Sequence, residues 1–430
     1  MLLIPATKAN SVYSSMPRLP QELIDVIINQ VDDRKTLKAC CLVASSFVCP
    51  SQRLLFLTVD LDNQILTPRK KAYTRFLRLL TLNPLLGTYV RSLRLGDSED
   101  FGFSRSWIIH AKNLPQLFQL LPRLEIFSLT FNSDERNWKS IPADIRSAFE
   151  RLFYLPTVQA ISLEFIREFP PQLLLELMRL KRLSLSFVDV DANDIHCHSA
   201  VSELRELHLR GTPPPTIAAI TRCLPQSSPT LRRLAITPTL EPGFCAAISE
   251  LMTAVGSNIT HFEWLPSIHF CMFFFRCPSL IYSLNLSVAP SSVPLDISRL
   301  PHLRFLRFSI TFRKFQSSRD HSTEMLHLLD QVSTNTDNKI EIIELECKFI
   351  RWFDNKVLKT QWRPLEKVLD KVGFRSSLKE VRVKLSVITN RRYKTAIGFM
   401  DLFPSLRERG VIILVSTAWI PWNESSGHCY

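Results

Sequence analysis

The chain has 430 residues, 46% of them hydrophobic and 22% charged, with 53 Lys and Arg against 40 Asp and Glu. That composition excludes a disordered tail and supplies apolar material for a large core, with length equivalent to about two to three domains. The ten cysteines contain no C-x-x-C pair and the ten glycines form neither G-x-G-x-x-G nor a phosphate loop, so a disulfide framework and nucleotide hydrolysis lack a sequence basis.

The first structured segment runs from Arg18 to Ile28. Pro20, with fixed φ and no N–H, suits the first position of a helix, and Glu22 follows in the first turn, where the dipole favours negative charge. Leu19, Leu23, Ile27 and Val31 recur every four residues, with Ile24 and Ile28 one position round, and predict a broad apolar stripe. Asp33 is the expected N-cap of a second helix in which Leu37, Cys40, Cys41, Ala44 and Phe47 share a face. Pro50 is expected to open a third containing Leu54, Leu55 and Phe56. Three short helices in about forty residues bury too little to stand alone, so some of their apolar surface is expected to meet a partner or the chain that follows.

From Val59-Asp-Leu61 onward one phrase recurs: an apolar residue, two mostly polar ones, then apolar-x-apolar. It reads Val90 to Leu95, Leu124 to Leu129, Val158 to Leu163, Leu180 to Leu185, Leu204 to Leu209, Leu231 to Ile236, Ile259 to Trp264, Ile281 to Leu286, Leu303 to Phe308, Ile340 to Leu345 and Leu378 to Val383. Each phrase predicts a short strand, and intervening stretches such as Gln172 to Met178 carry helical periodicity. Such a unit cannot cover its apolar face alone but can when stacked on its neighbours; the other arrangement weighed is a non-repetitive α/β domain. Side chains alternate across a strand, so Arg94, Ser128, Ser162, Ser184, His208, Glu263, Asn285, Arg307, Glu344 and Arg382 are expected on one shared surface.

Between Lys348 and Lys394, fourteen Lys and Arg stand against Asp354, Glu366, Asp370 and Glu380, with Phe349, Trp352, Phe353, Trp362 and Phe374 interleaved. Three readings apply: a helix from Asp354 to Gly373 with a solvated basic face, a nucleic-acid contact, or a dock for an acidic or phosphorylated client. The first is favoured, and nucleic acid is not an expected partner. His196-Cys197-His198 share one loop, and His261, His269, Cys271 and Cys277 interleave with aromatics, so no metal or cofactor is expected. H-E-x-x-H, G-x-S-x-G and the kinase motifs are absent, and no catalytic residue is singled out. Met1 to Ala6 is broken by Pro5 and lacks a basic flank, while Phe270 to Phe275 and Val411 to Ser416 are too short to span a bilayer. A soluble chain in cytoplasm or nucleus, not associated with membrane, is expected. Residues 1–15 are expected to be disordered and 422–430 to form a mobile tail.

Leu19-Pro20, Glu22-Leu23, Ile27, Val31, Leu37 and Val43 together resemble the F-box, over about residues 16–57, in the phrasing of mushroom-type (basidiomycete) fungal F-box proteins. The ending departs from that pattern: Ala44-Ser45 replaces Cys-Arg, and Phe47 replaces Trp. The strand phrases, with Leu121-Pro-Arg-Leu124, Leu300-Pro-His-Leu303 and Cys277-Pro-Ser-Leu280, resemble degenerate leucine-rich repeats over residues 58–421. The resemblance implies an α/β protein in which a three-helix F-box precedes a solenoid of curved parallel sheet with outer helices. It implies a non-catalytic substrate-recognition subunit of an SCF-type cullin-RING ubiquitin ligase. Leu19, Pro20, Leu23, Ile24, Ile27, Leu37, Val43 and Phe47 would dock on the S-phase-kinase-associated adaptor, and through it a cullin. The solenoid would hold an unknown client protein through residues such as Arg94, His208, Glu263, Asn285, Arg307, Glu344 and Arg382.

Overall fold

The computed structural model describes residues 19–61, 69–97, 106–131, 136–190, 202–224, 230–239, 241–265, 295–313, 321–333, 337–350, 363–388 and 403–420. The chain divides into two compact units, Met1–Arg94 with Gln116–Glu125, and Leu95–Pro115 with Ile126–Tyr430. The first unit therefore reaches past the residue-57 boundary expected from sequence.

The first unit opens with α1 (Gln21–Asn29), α2 (Arg34–Val43) and α3 (Ser45–Leu57). Pro20 is not the first helical residue: its ψ of 145° is extended, and its carbonyl accepts from the Leu23 and Ile24 amides at 3.1 and 3.2 Å. Asp33 caps α2 as expected, accepting from the Thr36 amide and hydroxyl, each at 2.7 Å. Those bonds hold its carboxyl below the usual carboxylate range. The second helix ends at Val43 because Ala44 is extended (φ −155°, ψ 154°), so Ala44 and Phe47 leave its face and α3 starts at Ser45.

Pro50 lies inside α3 rather than opening it. A proline there cannot donate to the carbonyl four residues back, that of Ser46. The Gln21 side chain supplies the missing bond, Nε2 donating to Ser46 O at 3.1 Å. Ile24, Ile28, Leu37 and Leu55 form the centre of this unit, with Val31, Cys40, Cys41, Phe47, Leu54 and Phe56 packed around them. After α3, β1 (Thr58–Asp60) pairs in parallel with β2 (Ser92–Gly96), reached through α4 (Arg69–Leu82); α5 (Leu114–Gln119) follows.

The second unit is a parallel sheet with strands in sequence order: β3 (Ile126–Thr130), β5 (Ala160–Phe169), β6 (Arg182–Val190), β7 (Glu206–Arg210), β8 (Arg233–Thr237), β9 (His261–Trp264), β10 (Phe305–Arg313), β11 (Ile342–Ile350), β12 (Glu380–Ile388) and β13 (Ile412–Ile420). The short β4 (Arg136–Asn137) pairs with the far end of β5. Parallel neighbours need a crossover on one side of the sheet. The connections include α6 (Ala143–Phe153), α7 (Pro171–Leu177), α8 (Pro214–Cys223) and α9 (Phe244–Val255), each packed on the next. Prolines at the first or second position of α7 and α8 place the missing N–H where no helical bond is lost.

Each apolar-x-apolar pair points into the layer between sheet and helices. Leu163, Leu185, Leu209, Ile236, Trp264, Phe308, Leu345 and Val383 are register partners along the sheet, and all are buried. Burying each such side chain is worth about 1.5–3 kcal/mol, so this ladder is the main cohesion between repeats. The first apolar residue of each phrase, Leu180 or Leu204 for example, is buried in the turn before the strand, which begins two residues later than expected.

The expected strand at Ile281–Leu286 lies outside the described residues, and β9 pairs directly with β10. The apolar run at Val411 contains a strand outside the recurring phrase, because Ile412 to Val415 have no polar spacing. Of the basic helix expected from Asp354 to Gly373, the described part is two helices, 363–369 and Val372–Arg375, with Gly373 inside the second.

Candidate functional site

On the first unit the apolar arc of α1 is too wide for one core. Ile24 and Ile28 face inward, while Leu19, Leu23, Val26 and Ile27 remain half or more exposed. Leu42 and Val43 at the end of α2 are 89% and 71% exposed. Of the residues expected to dock a partner, Leu19, Pro20, Leu23, Ile27 and Val43 are therefore on the surface. Ile24 and Leu37 are not, because both are buried in the three-helix core, and Phe47 packs against that core half-buried. Val26 and Leu42 belong with the exposed set; their position off the expected stripe is what hid them. Each half-exposed side chain would gain on the order of 1 kcal/mol on being covered.

On the second unit the alternation expectation holds. Ser128, Ser162, Ser184, His208, Ala235, Glu263, Arg307, Glu344, Arg382 and Leu414 are consecutive register partners on the sheet face opposite the buried ladder. Arg94 pairs with Asp60 in the first unit, and Asn285 lies outside the described residues.

Sharing a face does not make these side chains available. Glu263 and Glu344 are 3% and 4% exposed. The Glu263 carboxylate is held by Arg233, whose Nε donates at 2.7 Å, and by Arg307 Nη1 at 3.4 Å. Arg307 also reaches Glu346 at 2.9 Å and lies 3.1 Å from Glu344, which Lys384 bonds at 2.9 Å. Burial opposes the Arg307 charge, but Glu346, Glu263 and Glu344 outweigh it and hold its pKa above the ordinary value. Arg382 is occupied by Glu380, at 2.8 and 3.2 Å. Glu263, Arg307 and Glu344 thus neutralise one another across the strands, and Arg382 is neutralised by Glu380 on its own strand, instead of waiting for a client. His208 is half-buried, its Nε2 has no hydrogen-bond partner among the described residues, and burial pushes its pKa down.

The basic segment is partly compensated where it is described, with Arg363 and Lys367 exposed and making no ion pair among the described residues. Lys371 pairs with Asp330, Arg375 with Asp370 at 3.8 Å, Lys379 with Glu341 at 2.9 Å and Lys384 with Glu344. Lys356 and Lys359 lie outside the described residues. These pairs favour the solvated-face reading over a phosphate track.

Sequence reasoning missed a second feature of the same face. Phe165, Phe187 and Gly211 all have left-handed φ, at 59°, 51° and 57°, directly after the register partners Glu164, Ser186 and Arg210. At each, two successive residues break the alternation before Ile166, Val188 and Thr212 are buried again, and the register is kept across the first two, Glu164 with Ser186 and Ile166 with Val188. Phe165 stacks on Phe187 at 4.9 Å with rings 5° apart, and the Arg210 guanidinium lies 5.6 Å from the Phe187 centroid. Stacking and cation–π contact, about 0.5–1.5 and 0.5–1 kcal/mol, offset much of the roughly 1–2 kcal/mol that each left-handed phenylalanine costs.

Gly211 completes the column because nothing larger fits: a Cβ would sit 2.2 Å from Phe187 Cε1. Gly211→Ala is expected to destabilise by about 2–3 kcal/mol, from backbone strain plus overpacking. Adding Phe187→Ala should recover the overpacking share. The urea midpoints of the single and double variants check this, and equal midpoints would remove the steric cause.

Among the described residues no group of three His, Cys, Asp or Glu side chains converges as a cation site, and no helix is long and apolar enough to cross a membrane. His196, Cys197 and His198 lie outside the described residues. No family model matches the chain, and no curated protein matches it significantly.

Proposed function

We propose that the chain is the substrate-recognition subunit of an SCF-type cullin-RING ubiquitin ligase. Its three N-terminal helices dock on the S-phase-kinase-associated adaptor, and its repeat sheet holds a client protein. Such a subunit performs no bond chemistry. It raises the effective concentration of client lysines near the charged ubiquitin-conjugating enzyme.

The observation that carries the reading is the division of the α1 segment: Ile24 and Ile28 build the core, while Leu19 just before the helix and Leu23, Val26 and Ile27 on it stay exposed, in a segment that reads Leu-Pro-x-Glu-Leu. An apolar set of this kind on a folded unit marks a surface for a partner. The strand-and-helix repeat supports the second half of the reading, since stacked repeats present an extended sheet face.

The test is co-purification of adaptor and cullin with the full chain. Leu23→Asp together with Ile27→Asp places charges on the exposed side of α1 without touching Ile24 or Ile28, so α1 keeps its core contacts. Adaptor recovery is expected to fall below about a tenth of wild type, because central apolar anchors carry most of an interface's energy. Unchanged recovery would overturn the adaptor assignment. Recovery of the adaptor without the cullin would instead indicate a scaffold that does not ubiquitylate.

A further inference from the structure

The residues just before the strands form their own lateral row, tied by backbone bonds. The Lys181 amide donates to Gln159 O, Arg205 to Lys181 O, Arg232 to Arg205 O, Thr260 to Arg232 O, Arg304 to Thr260 O, Glu341 to Arg304 O and Lys379 to Glu341 O, at 2.8 to 3.0 Å. Neighbouring positions in such a row are about 4.8 Å apart, so their side chains interact directly.

The two halves of the row are built on opposite electrostatic rules. In the later half, Arg304 and Lys379 flank Glu341 and pair with it at 3.7 and 2.9 Å. In the earlier half Lys181, Arg205 and Arg232 stand side by side with no intervening acid, and Arg182 adds a fourth cation on β6. Arg182, Arg205 and Arg232 are exposed and make no ion pair among the described residues, while Lys181 bonds only the neutral Gln159 amide at 3.0 Å. Glu206 is the register partner of Arg182 and of Arg233, one position along from the row, yet neither it nor Glu203 makes an ion pair with these four cations. Like charges on adjacent strands repel, and the later half of this row shows how the fold removes such repulsion when only stability is at stake.

We propose that Lys181, Arg205 and Arg232, with Arg182, form a docking surface for a short acidic peptide segment of the client. The inference rests on the receptor reading above and supplies the client chemistry that reading leaves open. Guanidinium groups at strand spacing suit carboxylates, which accept from them in bidentate fashion. A long polyanion fits less well. The unpaired cations span only three strands, Glu203 and Glu206 lie among them, and Gln159 and Thr260 bound the row. A nucleic-acid track instead needs cations continued along the backbone.

The experiment uses the full chain and a fluorescein-labelled oligoglutamate peptide, with a labelled oligothymidylate alongside, across a salt series. Wild type is expected to bind the peptide with affinity that falls as salt rises. Lys181→Glu, Arg205→Glu and Arg232→Glu together should weaken it at least about tenfold. Arg304→Ala with Lys379→Ala, in the same row, should leave binding within about twofold. No peptide binding by wild type, equal binding by the triple variant, equal losses in both variants, or binding of oligothymidylate alone would each overturn the proposal. Adaptor recovery is read on the same preparations. Its loss in wild type would refute the receptor reading whatever the peptide does, and its presence with no peptide binding would refute only the acidic-segment surface.

Discussion

Trp138→Ala should be the most destabilising single change in the repeat unit, lowering its stability by about 3–5 kcal/mol. The indole is 1% exposed and meets Phe149 at 6.1 Å, Phe153 at 6.3 Å and Phe169 edge-on at 5.2 Å. Phe149 and Phe153 come from α6 and Phe169 from the end of β5, so the indole joins a helix to a strand. Phe127 on β3 touches the same two helix rings at 6.1 and 6.2 Å. Truncation would leave a cavity between elements held by their own hydrogen bonds, which cannot collapse to fill it. Trp138→Phe should cost much less, since most of the volume remains. Equilibrium urea unfolding followed by far-UV circular dichroism gives both values, and an alanine variant within about 1 kcal/mol of wild type would show that the cluster is not a unit of stability.

Arg307→Leu should be nearly as damaging at neutral pH, with a loss of about 3 kcal/mol. That is the low end for breaking a buried ion pair, chosen because the arginine side chain is 25% exposed. The change leaves the carboxylates of Glu263, Glu344 and Glu346 on neighbouring strands without their shared counter-charge. Equilibrium urea unfolding of wild type and variant tests this. A variant within about 1 kcal/mol of wild type would show that the arginine is not the counter-charge that holds the three carboxylates.

Some of these features could be read along the chain because their causes are local. The Asp33 cap needs only Thr36 three residues on, and it forms as the sequence indicates. The strand phase needs only two-residue alternation, which is why Ser128, Ser162, Ser184, His208, Glu263, Arg307, Glu344 and Arg382 emerge on one face as expected. The exposed side of α1 was half legible. Helical periodicity marks an apolar stripe but not which part another helix will cover, so Ile24 and Leu37 passed for surface and Val26 and Leu42 for nothing.

What the sequence left open depends on residues far apart in the chain. Pro50 is tolerated inside α3 because Gln21, in a different helix, bonds the Ser46 carbonyl. Glu263 and Glu344 look like surface acids until the register sets Arg233, Arg307 and Lys384 against them. Phe165, Phe187 and Gly211 become one column only when pairing of the preceding strand residues sets three left-handed positions at the same level. Lys181, Arg205 and Arg232 each look like an ordinary solvated cation in its own repeat, and parallel pairing makes them neighbours without an acid between them. Local pattern determined the elements and their inward faces, because one or two turns of chain suffice for both. Lateral register alone decided which charges cancel and which remain, because Coulombic and packing energies depend on distance in space and not on separation along the chain.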